Sequence, residues 1–148
     1  MQDIFEIENR LKQFFMEKAE NSLNQEYMCK YKNRYSHCIK AEMIAKELSV
    51  HFKLSIEECQ KAMIAALLHD CGKEYPKKEG HAKRGKKIAQ SEFDITDKTV
   101  LRAIRRHQNK DKHPCETVID WIVHCADCAA KEESYDIQKI TSYIKTKL

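Results

Sequence analysis

An all-α domain is what this sequence predicts, and three features predict it. Apolar residues recur at three- and four-residue steps almost throughout. Glycine and proline contribute only 3 and 2 of the 148 residues, far less turn punctuation than a strand-rich fold uses. Helix-capping residues also stand where the periodic segments begin. A chain of this length fits one domain with a single core, so we assign 1–148 to one unit. No repeat, linker or low-complexity stretch divides it.

The first helix is expected over 3–20, where Ile4, Ile7, Leu11, Phe14 and Phe15 share a face. A second, over 36–53, carries Ile39, Met43, Ile44, Leu48 and Phe52, and His37 stands at its start. The string Leu54-Ser55-Ile56-Glu57-Glu58 reads as a capping box with Leu54 as the staple, opening a helix over 56–69. That helix is apolar on nearly all sides from Ala62 to Leu68, which marks it as the central one. Gly72 and Pro76 end it, and a lysine-rich loop follows. Short helices are expected from His81 to Gln90 and from Asp97 to His107, the latter capped by Thr96. After Pro114 comes a helix through Val118, Ile119, Ile122, Val123 and Ala126, and a last one over 135–146.

Charged residues make up 34% and apolar ones 42%, the balance of a folded soluble chain rather than a disordered one. No apolar run approaches the ~18 residues of a membrane span. The opening MQDIFEIENR carries acids where a signal peptide has an apolar stretch, so the expectation is a cytoplasmic protein. Seven cysteines at irregular spacing suit reduced, small core residues better than a disulfide framework. The net charge of +4 is a weak pointer to an anionic partner. Nucleic acid is a poor candidate, because the basic residues lack interleaved aromatics.

The chemistry lies in the histidines and aspartates. His69-Asp70 directly follows the apolar run AMIAALL, and such a pair is costly to bury without partners. A metal ion supplies one, since imidazole nitrogen and carboxylate oxygen suit iron, manganese, cobalt or zinc. His37 precedes the pair, His81 opens a basic helix, His107 closes AIRRH, and Asp127 lies within WIVHCADCAA. Each alone is more often a packed core or surface residue. Together they form an ordered set, every member at or inside an expected helix. Cys125-x-x-Cys128 lacks the second pair that a structural zinc site needs, and helix packing around Asp127 explains it better. His51 and His113 read as surface residues, and His124 as a residue supporting the site from behind.

The order H…HD…D, carried by RYSH, AALLHDCGK and VIDWIVHCAD, resembles the HD-domain metal-dependent phosphohydrolase superfamily. The resemblance covers about 34–130, leaving 1–33 as an N-terminal helical extension and 131–148 as a C-terminal helix. It implies an HD-type helical bundle in which His37, His69, Asp70 and Asp127 hold one metal. It also implies a second metal on His81 and His107, from GHAKRG and IRRHQ, with Asp70 bridging the two. A closer resemblance is to the bacterial symmetrical bis(5′-nucleosyl)-tetraphosphatase branch, through HAKRG, AIRRH and HCAD. The chain departs from that branch after AD, reading CAAKEESYD in place of an acidic-proline-arginine segment.

The expected activity is therefore hydrolysis of a phosphate ester or anhydride of a nucleotide-type small molecule, with a metal-bridging hydroxide as attacking group. Two divalent ions are implied, iron or manganese ahead of zinc, cobalt, nickel or magnesium. Asp70 and Lys73 are the catalytic candidates, Lys73 also as a phosphate contact, since an HD-x-x-K arrangement recurs in the family. Arg34, Arg84 and Arg105 are the other candidate phosphate contacts, each near a candidate ligand, and most of the remaining lysines read as solvated. Two alternatives stand beside this reading. One is a mixed-valent di-iron oxygenase of the same fold, and the other a non-catalytic nucleotide-binding module. A homodimer is compatible with the sequence.

Overall fold

The computed structural model describes residues 3–148. Seven helices run in the order α1 (Ile4–Glu20), α2 (Gln25–His51), α3 (Ile56–Leu68), α4 (His81–Glu92), α5 (Lys98–Arg106), α6 (Val118–Ala130) and α7 (Ile137–Lys147). The described residues contain no strand, only an isolated bridge between Lys110 and His113. None of their helices is long and apolar enough to cross a membrane.

Helix α1 starts where Asp3 accepts the Phe5 N–H at 2.9 Å. It buries Ile7, Leu11, Phe15 and Ala19 along one stripe against α2 and α3. Helix α2 is longer than its apolar pattern predicts. It begins at an Asn24 cap and runs 27 residues, about 40 Å, without a break across position 34. Its first eleven residues are polar apart from their tyrosines, methionine and cysteine, and only Tyr31 among them is buried, so the stripe through Cys38, Ala41, Ala45 and Leu48 is what periodicity detects. His37 therefore stands in the middle of a helix rather than at its start.

The Ser55–Glu58 capping box is present, and α3 is central, packed against α1, α2, α5 and α6. The start of α5 needs one correction: Asp97, not Thr96, is the cap, accepting the Val100 N–H at 3.1 Å. A box of Thr117 and Asp120 starts α6. Helix α7 lays Thr141 and Ile144 inward, packing on α2 and α6. The cysteines are free as expected, but not uniformly core: Cys29 and Cys128 are exposed and Cys59 is half-buried.

The loop after α3 is pinned by backbone contact. A Cβ on Gly72 would collide with the Gly85 backbone and the His81 carbonyl, so α4 can lie directly on position 72 only because it is glycine. The Cys71 thiol donates to the Gly85 carbonyl at 3.3 Å, and Arg84 Nε donates to the Gly72 carbonyl at 3.1 Å. This contact places the first residue of α4, His81, beside the end of α3. Gly72→Ala should lower stability by roughly 2–4 kcal/mol in urea denaturation. Gly85→Ala, whose Cβ meets Ile104 at an ordinary 3.4 Å, should change it by under about 1 kcal/mol. Equal effects of the two changes would refute the close-approach account.

A carboxyl pair lies at the α1–α2 interface. Glu42 is 6% exposed, and burial followed by the neighbouring Glu8 carboxylate pushes its pKa from 4.5 up to about 7. The folded state then binds more protons than the unfolded one between those values, so this group makes stability fall as pH rises through the window. Glu42→Gln should remove that slope and stabilise the protein at pH 8 by roughly 1–2 kcal/mol, allowing for partial solvation. Chemical denaturation at pH 4.5, 6 and 8 measures it, and an unchanged slope would remove the pair from the account.

Candidate metal centre

Two helix ends aim the central histidines. His69 is the C-cap of α3 and His107 the C-cap of α5. Each turns its Nδ1 onto the carbonyl three residues back, Ala66 at 2.5 Å and Ile104 at 2.7 Å. These carbonyls belong to each helix's last turn, where regular i→i+4 pairing runs out, and the Ile104 carbonyl also takes the His107 N–H at 3.4 Å. The bond fixes the tautomer: Nδ1 donates, and in the neutral ring Nε2 presents a lone pair toward the centre of the bundle.

The remaining candidate ligands converge on the same point. From the middle of α2, His37 brings Nε2 to 3.3 Å from His69 Nε2 and 3.0 Å from Asp127 Oδ1. His69 Nε2 lies 3.1 Å from the same oxygen. From the start of α4, His81 brings Nε2 to 3.2 Å from His107 Nε2. Asp70 sits between the two pairs, its side chain 2% exposed. Its Oδ2 is 3.3 Å from His69 and 3.6 Å from His37, and its Oδ1 is 3.4 Å from His81 and 3.7 Å from His107. One oxygen thus faces each pair. The result is two clusters that share Asp70, His37-His69-Asp70-Asp127 and Asp70-His81-His107, with ligand atoms inside each within 4.8 Å of one another.

Elementary electrostatics tests whether these residues fit a cation. Two imidazole lone pairs at 3.2–3.3 Å repel unless a proton or cation lies between them. In the metal-free protein His69 takes the proton: burial opposes its charge, but Asp70 and Asp127 outweigh burial and push its pKa up to about 10. Burial, with charged His69 beside it, pushes His107 down to about 3, so that ring stays neutral. Burial works against ionisation of Asp70 and Asp127 too, yet the histidines hold both below the usual carboxylate range. Four inward nitrogens and two ionised carboxylates are a donor set that fits divalent transition metals.

A cavity of about 450 Å³ opens over Asp70 and Asp127, lined by Lys73, Lys77, Lys78, Lys110 and Lys131. Burial lowers the pKa of Lys73, an effect that Asp70 partly offsets. The expected arginine contacts are placed differently. Arg34 spends its guanidinium on Asp70 Oδ2 at 2.8 Å and on the Tyr75 hydroxyl at 2.7 Å, and it does not line the cavity. Arg84 is also off the cavity wall, because it braces the loop through the Gly72, Lys78 and Glu79 carbonyls. Arg105 lines a neighbouring basic recess with Lys83 and Lys112. His124 donates from Nδ1 to the His107 carbonyl at 2.7 Å, behind the second cluster, and its ring reaches the cavity wall.

Sequence reasoning missed Lys110, Lys131 and Tyr75. Lys131 had a signal, since it stands four residues after Asp127 on α6 and its ammonium is 3.7 Å from Asp127 Oδ2. Lys110 lies in an irregular segment, where no periodicity points anywhere.

The HD domain family model matches residues 34–135, and the chain belongs to the HD-domain family of metal-dependent phosphohydrolases. A Mycoplasma genitalium protein named "Probable nicotinate-nucleotide adenylyltransferase/Ap4A hydrolase" is 26% identical over 113 residues, covering 64% of this chain and 31% of that protein. The chain thus spans about a third of that relative's length. A crystal structure from Clostridium acetobutylicum, titled as a predicted HD superfamily hydrolase involved in NAD metabolism, superposes with a TM-score of 0.62. It covers 97% of this chain and 78% of its own at 19% identity, a likeness of fold.

Arg34→Met removes the only guanidinium bonded to Asp70 among the described residues while keeping much of the volume. In chelator, it should lower unfolding free energy by roughly 2–4 kcal/mol, because a buried carboxylate loses its partner. Urea curves of the metal-free variant measure this, and wild-type stability would show that Arg34 does not hold Asp70.

Proposed function

We propose that the chain hydrolyses a phosphate ester or anhydride of a nucleotide-type small molecule at a two-metal centre. His37, His69, Asp70 and Asp127 would hold one divalent ion, and Asp70, His81 and His107 the other. Iron and manganese fit this nitrogen-rich set best, with zinc, cobalt, nickel and magnesium behind them. The observation that carries the reading is the division of Asp70, one oxygen toward each pair of histidines under a lysine-lined mouth. The Mycoplasma relative's name, with Ap4A hydrolase in it, supports a nucleotide as the substrate class. Residues 34–130 form the metal-binding core in this reading, with 1–33 and 131–148 packed around it.

When bound, the metals supply Lewis acidity toward a phosphoryl oxygen and water activation at neutral pH. The chain's own groups do the rest. The C-cap histidines hold their lone pairs in place before substrate arrives, so little reorganisation is needed at reaction. Arg34 orients Asp70 through its 2.8 Å bond to Oδ2. Lys73, within reach of the candidate ligands, contributes charge to the phosphoryl group as negative charge develops. Lys77, Lys78, Lys110 and Lys131 draw a multiply charged substrate into the mouth and set its phosphates over Asp70. That ring of lysines favours phosphoryl chemistry over oxidation of a neutral organic substrate.

His69→Ala and Asp70→Ala should each remove metal and turnover while leaving helical content largely intact. Lys73→Ala should keep both metals and lower kcat/KM on the order of 100-fold. Metal content by elemental analysis, with phosphate release from nucleotide substrates aerobically and anaerobically, checks both. Full metal and full activity in the ligand variants would overturn the site. Oxygen consumption without phosphate release would replace the hydrolase with the oxygenase.

A further inference from the structure

We infer that the groove between α6 and α7 binds the flat aromatic base of the substrate, resting on the phosphohydrolase reading and extending it to how the organic half is held. The groove is a cavity of about 480 Å³, walled by Cys125, Cys128, Ala129 and Ile140 and by the rings of Tyr135 and Tyr143. It joins the lysine-lined cavity: His124 and Cys128, one turn apart on α6, line both. A molecule with phosphates over Asp70 can therefore continue past these two residues without leaving the surface.

The chemistry of the two directions out of the centre differs. On the α4–α5 side the neighbouring recess carries Lys83, Arg105, Lys110 and Lys112 and suits charge. On the α6–α7 side the wall is mainly apolar and aromatic, with Glu132, Ser134, Asp136 and Lys139 also lining it, and suits a planar ring with polar edges. Tyr135 is held at the groove's edge by its hydroxyl, which donates to Glu47 at 3.1 Å. Tyr143 is 46% exposed and packs edge-on against Trp121, which packs edge-on against His124. The Lys147 ammonium over the Tyr143 ring at 5.3 Å belongs to an exposed side chain that a base can displace. An aromatic chain thus leads from the Tyr143 ring through Trp121 to the shared wall at His124.

Trp121 is the single tryptophan of the chain, so its fluorescence reports on the groove. The test titrates the metal-loaded full chain with α,β-methylene-ADP and with methylenediphosphonate, which lacks the nucleoside; in both a methylene replaces the bridging oxygen, so neither has an anhydride bond to cleave. The nucleotide should change Trp121 fluorescence and the diphosphonate should not. Tyr143→Ala should weaken nucleotide binding about 10-fold and diphosphonate binding by less than 2-fold. Tyr143→Phe, which keeps the ring, should bind both like the parent. Nucleotide binding untouched by Tyr143→Ala, or both ligands weakened alike, would overturn the groove assignment. In that case intact phosphate release would leave the hydrolase reading standing. Failure of both ligands to bind, with no phosphate release, would overturn that reading and the groove together.

Discussion

Asp70 is a carboxylate almost wholly removed from water, and the placement of the functional residues follows from what it requires. Ionised and buried, it needs compensating charge and hydrogen bonds on both oxygens. Arg34 satisfies part of that need from α2, and imidazoles from four helix positions surround the rest. No single helix could supply this shell. The bundle brings the middle of α2, the ends of α3 and α5, and the start of α4 to one point. Asp127 of α6 completes the set, its Oδ1 within 3.1 Å of both His37 and His69.

The same constraint divides labour among the cations. Arg34 is already bonded to Asp70 and Tyr75 and does not line the cavity, an arrangement suited to positioning. Arg84 holds carbonyls of the loop whose first residues contact α4, and so keeps His81 in place from a distance. The lysines, with single flexible ammonium groups, are left to line the mouth. Guanidiniums suit the fixed, multidentate roles in this protein, and ammonium groups suit the open ones.

Much of this was legible in the sequence, and the limits have physical causes. Helix existence followed from periodicity, and the Ser55–Glu58 box marked the start of α3 to the residue. The beginning of α2 was hidden because its first three turns bury little, so no apolar stripe announced them. The six His and Asp positions could be named because they flank apolar runs in a familiar order. Their mutual distances could not, since they depend on where helices cross. The partners of Arg34 were hidden for the same reason: sequence places it one turn before His37, and only the fold shows that it meets Asp70 and Tyr75. Lys110 lies in an irregular segment and owes its place at the mouth wholly to tertiary structure.

Using helix C-caps as ligand mounts has an evolutionary consequence. A residue inserted into α3 or α5 rotates everything beyond it by about 100° and advances it by 1.5 Å. His69 and His107 would swing away from the centre, and their Nδ1 groups would aim at different carbonyls. Insertions and deletions within these two helices are therefore disfavoured, even at positions far from the candidate centre. The non-helical stretches 73–77 and 110–114, away from the Gly72 contact and the Thr117 cap, carry no such helical phase. Change is therefore tolerated best in the segments that line the mouth, where it alters the surface a ligand meets and leaves the candidate centre in register.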